Sequence, residues 1–358
     1  MHGSQLCLRL VSETSPLPPA ILRHHLLAQK ARRRGRDGLG RAEIAFQGPR
    51  VGRDRRASNQ RKIERPGHLR RLGQVLVKEN LMSVQAGIWN FDGRPVDHRL
   101  LADISESLKY QGPDGEFCHV DGSVALLYRP FHTTAESHRE EQPHVSRRGF
   151  VLTLDGRLDN RDELIPELRS ELEVDPTDVA IVGAAFDRWE TRCFRHFVGE
   201  WATSIWYQAE KTLYLAQDYA GVRRIYYFLT ENDVLWCSHL APMVLKTGAS
   251  FRLNDEYIAG YLVIQPEAHL TPYREIMAVP PGCFVTIRPK EAKVCRYWWF
   301  APEQRIRYKS DAEYEEHFRH VFRQAVRRRL RSDRPILAEL SGGLDSSSIV
   351  CMADDIIG

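Results

Sequence analysis

From residue 84 onward the chain alternates short apolar runs with turn-forming residues. Val84–Phe91 reads as a strand that ends at Asp92-Gly93. Asp97–Lys109 reads as an amphipathic helix, with Leu100, Leu101, Ile104 and Leu108 on one face. Gln111-Gly112-Pro113-Asp114-Gly115 is a turn by composition. Val124–Tyr128 and Phe150–Leu154 read as strands, the second followed by Asp155-Gly156, and Thr177–Trp189 reads as a helix with Asp178 at its start. Thr203–Tyr207 and Leu213–Ala216 form a hairpin-like pair, and Tyr226–Leu229, Val234–Ser238 and Cys283–Ile287 add strands. Many strands with two internal helices predict a layered α+β domain of two packed sheets with helices outside.

The pattern changes near the carboxy end. Asp311–Leu330 reads as a long helix opened by Ser310-Asp311, with Arg327, Arg328, Arg329 and Arg331 crowded at its end, where positive charge suits the helix dipole. Pro335–Leu340 reads as a short strand running into Ser341-Gly342-Gly343-Leu344-Asp345-Ser346-Ser347-Ser348, after which Ile349–Ala353 is helical. Strand, glycine-rich turn and helix make an anion cradle. The glycines let backbone approach a phosphate, and hydroxyls and helix N-terminal amides donate to it. No Gly-Lys-Ser/Thr follows, so this is not a Walker loop.

Length and charge refine this picture. A chain of 358 residues suits about two domains. Residues 1–81 hold 18 Lys+Arg against 6 Asp+Glu, a net of +12, and the remainder carries a net of −8. The basic character therefore belongs to the first segment, whose densest runs are Ala31–Arg36 and Arg53–Arg56 and whose only apolar periodicity is Ala20–Leu27. A flexible, disordered extension is the preferred reading over a nucleic-acid arm, and a true start at Met82 is a third reading. The longest apolar stretches, such as Val179–Phe186, have the length of a core helix, so no membrane span is expected. Seven scattered cysteines without a Cys-X-X-Cys pair argue against metal clusters and redox dithiols. The start of the chain lacks the features of a signal peptide, and a cytoplasmic location is expected.

Several segments, in order, resemble the asparagine synthetase family. Met82-Ser83-Val84-Gln85-Ala86-Gly87-Ile88 is similar to the family's opening Met-Cys-Gly-Ile-Ala-Gly-Ile, Gly112-Pro113-Asp114 to its Arg-Gly-Pro-Asp, and Asp155-Gly156-Arg157-Leu158-Asp159-Asn160 to its Asn-Gly-Glu-Ile-Tyr-Asn. Gln217–Tyr227, Val279-Pro280-Pro281-Gly282 and Tyr297-Trp298-Trp299 also fit. The resemblance covers residues 82–358. It implies a class II glutamine amidotransferase domain with the four-layer αββα N-terminal-nucleophile sandwich. That domain would span 82–300, followed by a linker and helix over 301–330. The beginning of an α/β adenine-nucleotide α-hydrolase-like parallel-sheet domain would follow over 331–358.

The departures matter as much. Ser83 stands at the family's cysteine nucleophile, and an alcohol is a much weaker nucleophile at neutral pH. With residues 1–81 present, Ser83 also lacks the free α-amine that would serve as its base. Asp155, followed by Gly156, stands at the oxyanion-hole asparagine, where a carboxylate would repel the developing charge. Arg129 and Asp178 fall where the family grips glutamine, although each is as readily an ordinary ion-pair residue. Glutamine hydrolysis is therefore expected to be lost, with a Ser83 nucleophile exposed by initiation at Met82 as the alternative.

Ser341-Gly342-Gly343-Leu344-Asp345-Ser346-Ser347 resembles the pyrophosphate loop of ATP-pyrophosphatase ligases. The resemblance implies ATP and Mg2+ as cofactors, with Asp345 a metal ligand and Ser341, Ser346 and Ser347 donors to pyrophosphate. It also implies an acyl-adenylate that a nitrogen nucleophile converts to an amide. Glu339 ahead of the loop is more like lasso-peptide cyclases, which join an amine to a peptide carboxylate. The expected activity is thus an asparagine synthase-type ligase. A lasso-peptide cyclase, a β-lactam synthetase-like ligase and a non-catalytic binding module are the alternatives. Expected partners are a small-molecule or peptide carboxylate and glutamine or an amine. A homodimer is admitted, and neither nucleic acid nor membrane is expected. The 28 residues of 331–358 are too few for a complete parallel sheet, so a fragment or split product is expected.

Overall fold

The computed structural model describes residues 9–11 and 81–358. The readings of the basic extension, including Ala20–Leu27 and the nucleic-acid arm, lie outside the described residues.

Two six-stranded antiparallel sheets face each other. Strand β1 (Arg9–Val11) lies outside both. The first sheet contains β2 (Val84–Asn90), β3 (Phe117–Asp121), β4 (Val124–Arg129), β9 (Tyr226–Leu229), β10 (Asp233–Cys237) and β11 (Ile276–Ala278), in the order β11-β9-β10-β2-β4-β3. The second contains β5 (His144–Val145), β6 (Val151–Leu158), β7 (Gly199–Tyr207), β8 (Thr212–Gln217), β12 (Cys283–Arg288) and β13 (Glu291–Arg296), in the order β13-β12-β8-β7-β6-β5. Helices cover the outer faces. These are α1 (His98–Leu108), α2 (Arg161–Glu167), α3 (Asp178–Trp189) and α4 (Leu240–Lys246), while α5 (Asp255–Leu262) has no buried residue and joins none of the cores.

The layering follows from the twofold side-chain period of strands. In β4, Val124 and Leu126 enter the core between the sheets, whereas Ala125 and Leu127 pack with Leu101, Ile104 and Leu108 of α1. In β6, Val151 faces the other sheet, whereas Leu152, Leu154 and Leu158 pack against Val182, Ala185 and Phe186 of α3. Both faces of β4 are buried, so Val124–Tyr128 runs without polar alternation, whereas β6 carries Thr153 and Asp155 on the face opposite Leu152, Leu154 and Leu158. The α/β/β/α order is the four-layer sandwich expected of the N-terminal-nucleophile type. Between the sheets, Trp236 of β10 lies opposite Gly87 of β2, and a Cβ on Gly87 would stand 2.0 Å from the indole. That register needs glycine.

Phe150–Leu154 was expected to end before Asp155-Gly156. The strand instead continues through both residues to Leu158, with Asp155 opposite Ala202 and Gly156 opposite Trp201. Asp-Gly reads as a turn by composition, but here Gly156 has φ +132°, and a Cβ there would meet the Glu200 carbonyl oxygen at 2.0 Å. The glycine supplies a distortion within the ladder, not its end.

Beyond the sandwich, α6 (Asp311–Arg329) leads to β14 (Leu337–Glu339) and then α7 (Leu344–Ile357). Strands β1 and β14 pair in parallel, with Leu10 opposite Ala338. Among the described residues, no helix is long and apolar enough to cross a membrane.

Candidate active site

Ser83 immediately precedes β2 and is 9% exposed. Its Oγ accepts from the Phe131 N–H at 2.9 Å and from the Tyr128 hydroxyl at 3.2 Å. It is the end point of a relay that begins at the turn after α1. Arg129 Nε donates to the Gly112 carbonyl at 3.2 Å, and a Cβ on Gly112 would strike the Arg129 carbonyl oxygen at 2.3 Å. Asp114 donates its N–H to the Pro130 carbonyl and accepts from the His132 N–H at 2.8 Å. The Gly-Pro-Asp turn thus fixes the 130–132 segment, which in turn fixes the Ser83 hydroxyl. The N–H of Met82 donates to the Gln111 carbonyl at 3.0 Å, so the peptide preceding Ser83 belongs to the same mesh.

Asp155 lies on the neighbouring sheet and is 1% exposed. Ser238 links the two sheets here. Its Oγ accepts from the Gln85 N–H at 3.0 Å and donates to Asp155 Oδ2 at 3.3 Å. Asp155 Oδ1 makes no hydrogen bond, and an Arg223 guanidinium nitrogen lies 3.6 Å from it. Burial raises the Asp155 carboxyl to about 6, while Arg223 and Ser238 pull it back. Arg223 is aimed by Asp218, whose buried carboxylate accepts from the N–H groups of Ala220, Val222 and Arg223 at 2.9, 3.2 and 3.1 Å. That closed loop, with Gly221 at φ +66°, accounts for the Asp-X-X-Gly spacing in the sequence.

Tyr128 is fully enclosed, and burial pushes its phenol well above the ordinary value, helped by the nearby Glu140 and Asp155. Glu140 is itself raised to about 8, by burial first and by neighbouring Asp178 second, with Gln142, the Val179 N–H and Arg331 opposing. The structure therefore gathers Ser83, Tyr128, Asp155, Ser238 and Arg223 around one buried polar spot, with Glu140 at its side. Gly156 follows Asp155 in the strand, but its partner there is Trp201 on β7.

Two expected pocket residues lie elsewhere. Arg129 shares the face of Val84, its cross-strand partner, and turns toward α1. Its guanidinium donates to Ser105 Oγ at 3.0 Å and pairs with Glu116 at 2.7 Å. Tyr128, one residue earlier, faces Ser83 instead. Asp178 is occupied by the chain itself. It accepts from the Leu158 N–H at 2.9 Å, pairs with Arg161, and receives Arg331 at 2.8 Å. Each makes ion pairs within the chain, Arg129 with Glu116 and Asp178 with Arg161 and Arg331.

Tyr128, Arg223, Ser238 and Glu140 were not singled out from the sequence. Only Arg223 carried a signal, through its place in the Gln217–Tyr227 segment.

The loop Ser341–Ser347 is a separate site. Gly342 has φ +78° with open space where a Cβ would be. Ser341 Oγ and Ser346 Oγ lie 3.0 Å apart, and Ser346 Oγ also accepts from the Ser341 N–H at 3.3 Å. Gly343 caps α7 with no side-chain hydrogen bond, so the first-turn amides are not engaged by a capping side chain. Exposed amides, two converging hydroxyls and a helix of 14 residues suit an anionic phosphate chain. Among the described residues, no three His, Cys, Asp or Glu side chains converge as a metal site. Asp345 would therefore meet Mg2+ as a single carboxylate beside phosphate oxygens.

The fold is an N-terminal-nucleophile sandwich with a buried polar cluster around Ser83 and Asp155, followed by a strand, a glycine-serine loop and a helix. Residues 82–298 match the glutamine amidotransferase domain family, and residues 317–356 match asparagine synthase. The chain belongs to the glutamine amidotransferase family, in the asparagine synthetase branch. It is 26% identical over 283 residues to Amidase chry2 of Gibberella zeae, covering 75% of this chain and 41% of that protein. It is 26% identical over 258 residues to asparagine synthetase [glutamine-hydrolyzing] 3 of Bacillus subtilis, covering 70% of this chain and 41% of that protein. The chain thus spans about two fifths of the length of these curated relatives. Among solved structures, glutamine phosphoribosylpyrophosphate amidotransferase from B. subtilis aligns with a TM-score of 0.42 at 14% identity, over 76% of this chain and 64% of that one.

Proposed function

We propose that the protein is part of an ATP-dependent amide-forming ligase whose amidotransferase-like domain does not hydrolyse glutamine. The observation that carries this reading is the state of Ser83. Its hydroxyl accepts from the Phe131 N–H and the Tyr128 phenol and donates to the Phe131 carbonyl, and its nitrogen is in a peptide bond with Met82. Asp155 supplies a carboxylate where an acyl-transfer site needs hydrogen-bond donors to a developing oxyanion. The nitrogen donor would then be ammonia or a substrate amine, as in a lasso-peptide cyclase or a β-lactam synthetase-like enzyme.

In this reading Ser341, Gly342, Gly343, Leu344, Asp345, Ser346 and Ser347 hold the phosphates of MgATP. ATP supplies the adenylate that activates a carboxylate, and the metal offsets the phosphate charge. The loop's own work is positioning. The glycines admit the phosphate backbone, and the serine hydroxyls and α7 amides donate to it. A small-molecule or peptide carboxylate would be the acyl partner.

The test pairs two assays on the full chain. Carboxylate-dependent ATP–pyrophosphate exchange without glutamine turnover is the expected result. Glutaminase activity above background would overturn the reading of Ser83 and Asp155. Silence in exchange with aspartate and with peptide carboxylates would favour a binding module instead.

A further inference from the structure

The arginines at the end of α6 were expected to serve the helix dipole alone, but they reach across to the sandwich. Arg328 pairs with Glu163, and Arg329 pairs with Glu200 and lies 3.3 Å from Asp159. Arg331, two residues past the helix, makes the most enclosed contacts. It donates to Asp178 Oδ2 at 2.8 Å and Oδ1 at 3.3 Å, and to the Leu158 carbonyl at 2.9 Å, with Glu136 at 3.5 Å. The sandwich answers with Arg157, whose guanidinium donates to the carbonyls of Arg328 and Arg331 at 2.7 and 2.9 Å. The Arg328 carbonyl is one that the last helical turn leaves without a partner, and the Arg331 carbonyl lies just beyond it. Asp333 completes the seam, donating its N–H to the Thr133 carbonyl at 3.2 Å and pairing with His138 at 2.6 Å.

We propose that Arg331 is a positioning residue that sets the nucleotide loop against the amidotransferase-like domain by occupying Asp178. A fork-shaped guanidinium held by two carboxylates and a carbonyl fixes orientation as well as distance. Strand β14 begins six residues later and Ser341 ten residues later, so little chain separates the anchor from the loop. Asp178 is buried and would be left with an unbalanced charge pattern if either arginine withdrew. The carboxylate is thus committed to an internal cation, and the seam ties the Ser341–Ser347 loop to the sandwich.

The inference rests on the nucleotide reading of the loop, and its test separates the two. Hydrogen exchange over residues 337–357 is measured on the full chain alongside MgATP binding. Arg331→Gln should raise exchange there by about tenfold or more and weaken MgATP by a similar factor, with exchange in β2, β4, β6 and β7 unchanged. Arg331→Lys should recover only part of either effect, because an ammonium cannot reproduce the fork. Arg327→Ala, on an exposed pair with Asp162, should change neither. Unchanged exchange in Arg331→Gln with intact MgATP binding would overturn the role of Arg331, as would an equal response in Arg327→Ala. Absence of MgATP binding in the unmutated chain would instead overturn the reading of the loop on which the proposal stands.

Discussion

The Tyr128 hydroxyl donates to the Ser83 Oγ at 3.2 Å, across paired strands of one sheet. A second donor, the Phe131 N–H, approaches the same oxygen at 2.9 Å. An oxygen that accepts twice has no lone pair free for attack, and its own proton is directed to the Phe131 carbonyl at 3.4 Å, which is not a base. The amidotransferase fold is therefore present with the Ser83 hydroxyl held by two donors.

Restoring a thiol should not restore hydrolysis. In Ser83→Cys the side chain still follows a peptide bond, and Asp155 still opposes an oxyanion. Glutamine turnover by this variant should remain at background in a coupled ammonia or glutamate assay. Appreciable turnover would show that the nucleophile alone was missing.

The two raised carboxyls make stability depend on pH with a definite sign. Asp155 is raised to about 6 and Glu140 to about 8, so both hold their protons more tightly when folded than when unfolded. Their stabilising contribution is full below the ordinary carboxyl range and is lost as pH rises through about 6 and then about 8. Each group contributes a slope of up to about 1.4 kcal/mol per pH unit while it titrates. Urea denaturation between pH 5 and 9 should show stability falling, and Glu140→Gln should flatten the upper part of that fall. A Glu140→Gln curve parallel to the wild type above pH 6 would count against the assignment.

Gly156 cannot accept a side chain. Its φ is +132°, and an added Cβ would lie 2.0 Å from a backbone oxygen rather than a movable side chain. Gly156→Ala should cost roughly 3 kcal/mol or more, the range of strained backbone positions inside a packed element. The midpoint of urea unfolding reads this directly, and a shift below about 1 kcal/mol would mean the strand relaxes.

The loop serines offer a test at the other end. Ser346 Oγ meets Ser341 Oγ at 3.0 Å, so the two hydroxyls would donate side by side to one phosphate. Ser346→Ala should weaken MgATP by about tenfold, near the worth of one hydrogen bond to a charged group. Calorimetry would give the change, and equal affinities for variant and wild type would exclude Ser346 from the phosphate site.

Local pattern alone carried the sandwich strands, α1, α3, α6 and the Ser-Gly-Gly loop, because apolar period and turn chemistry are written in neighbouring residues. It missed β3 and β13, whose side chains are largely exposed and show little apolar alternation, the two- and three-residue strands β5 and β11, and the short helices α2, α4 and α5, where two internal helices were expected. It also read Asp155-Gly156 as the end of a strand, since composition cannot report that a glycine inside a ladder is there to avoid the Glu200 carbonyl.

The chemistry-bearing residues divide the same way. Sequence by itself determined which residue types stand at Ser83, Asp155 and Ser341–Ser347, and hence which reactions they favour or oppose. Only the tertiary structure decided that Tyr128 donates to Ser83, that Arg223 faces Asp155, and that Arg331 reaches Asp178 across 153 residues. Such pairs depend on sheet register and on how α6 lies against the sandwich. A charged side chain carries no local mark of the distant partner that will neutralise it.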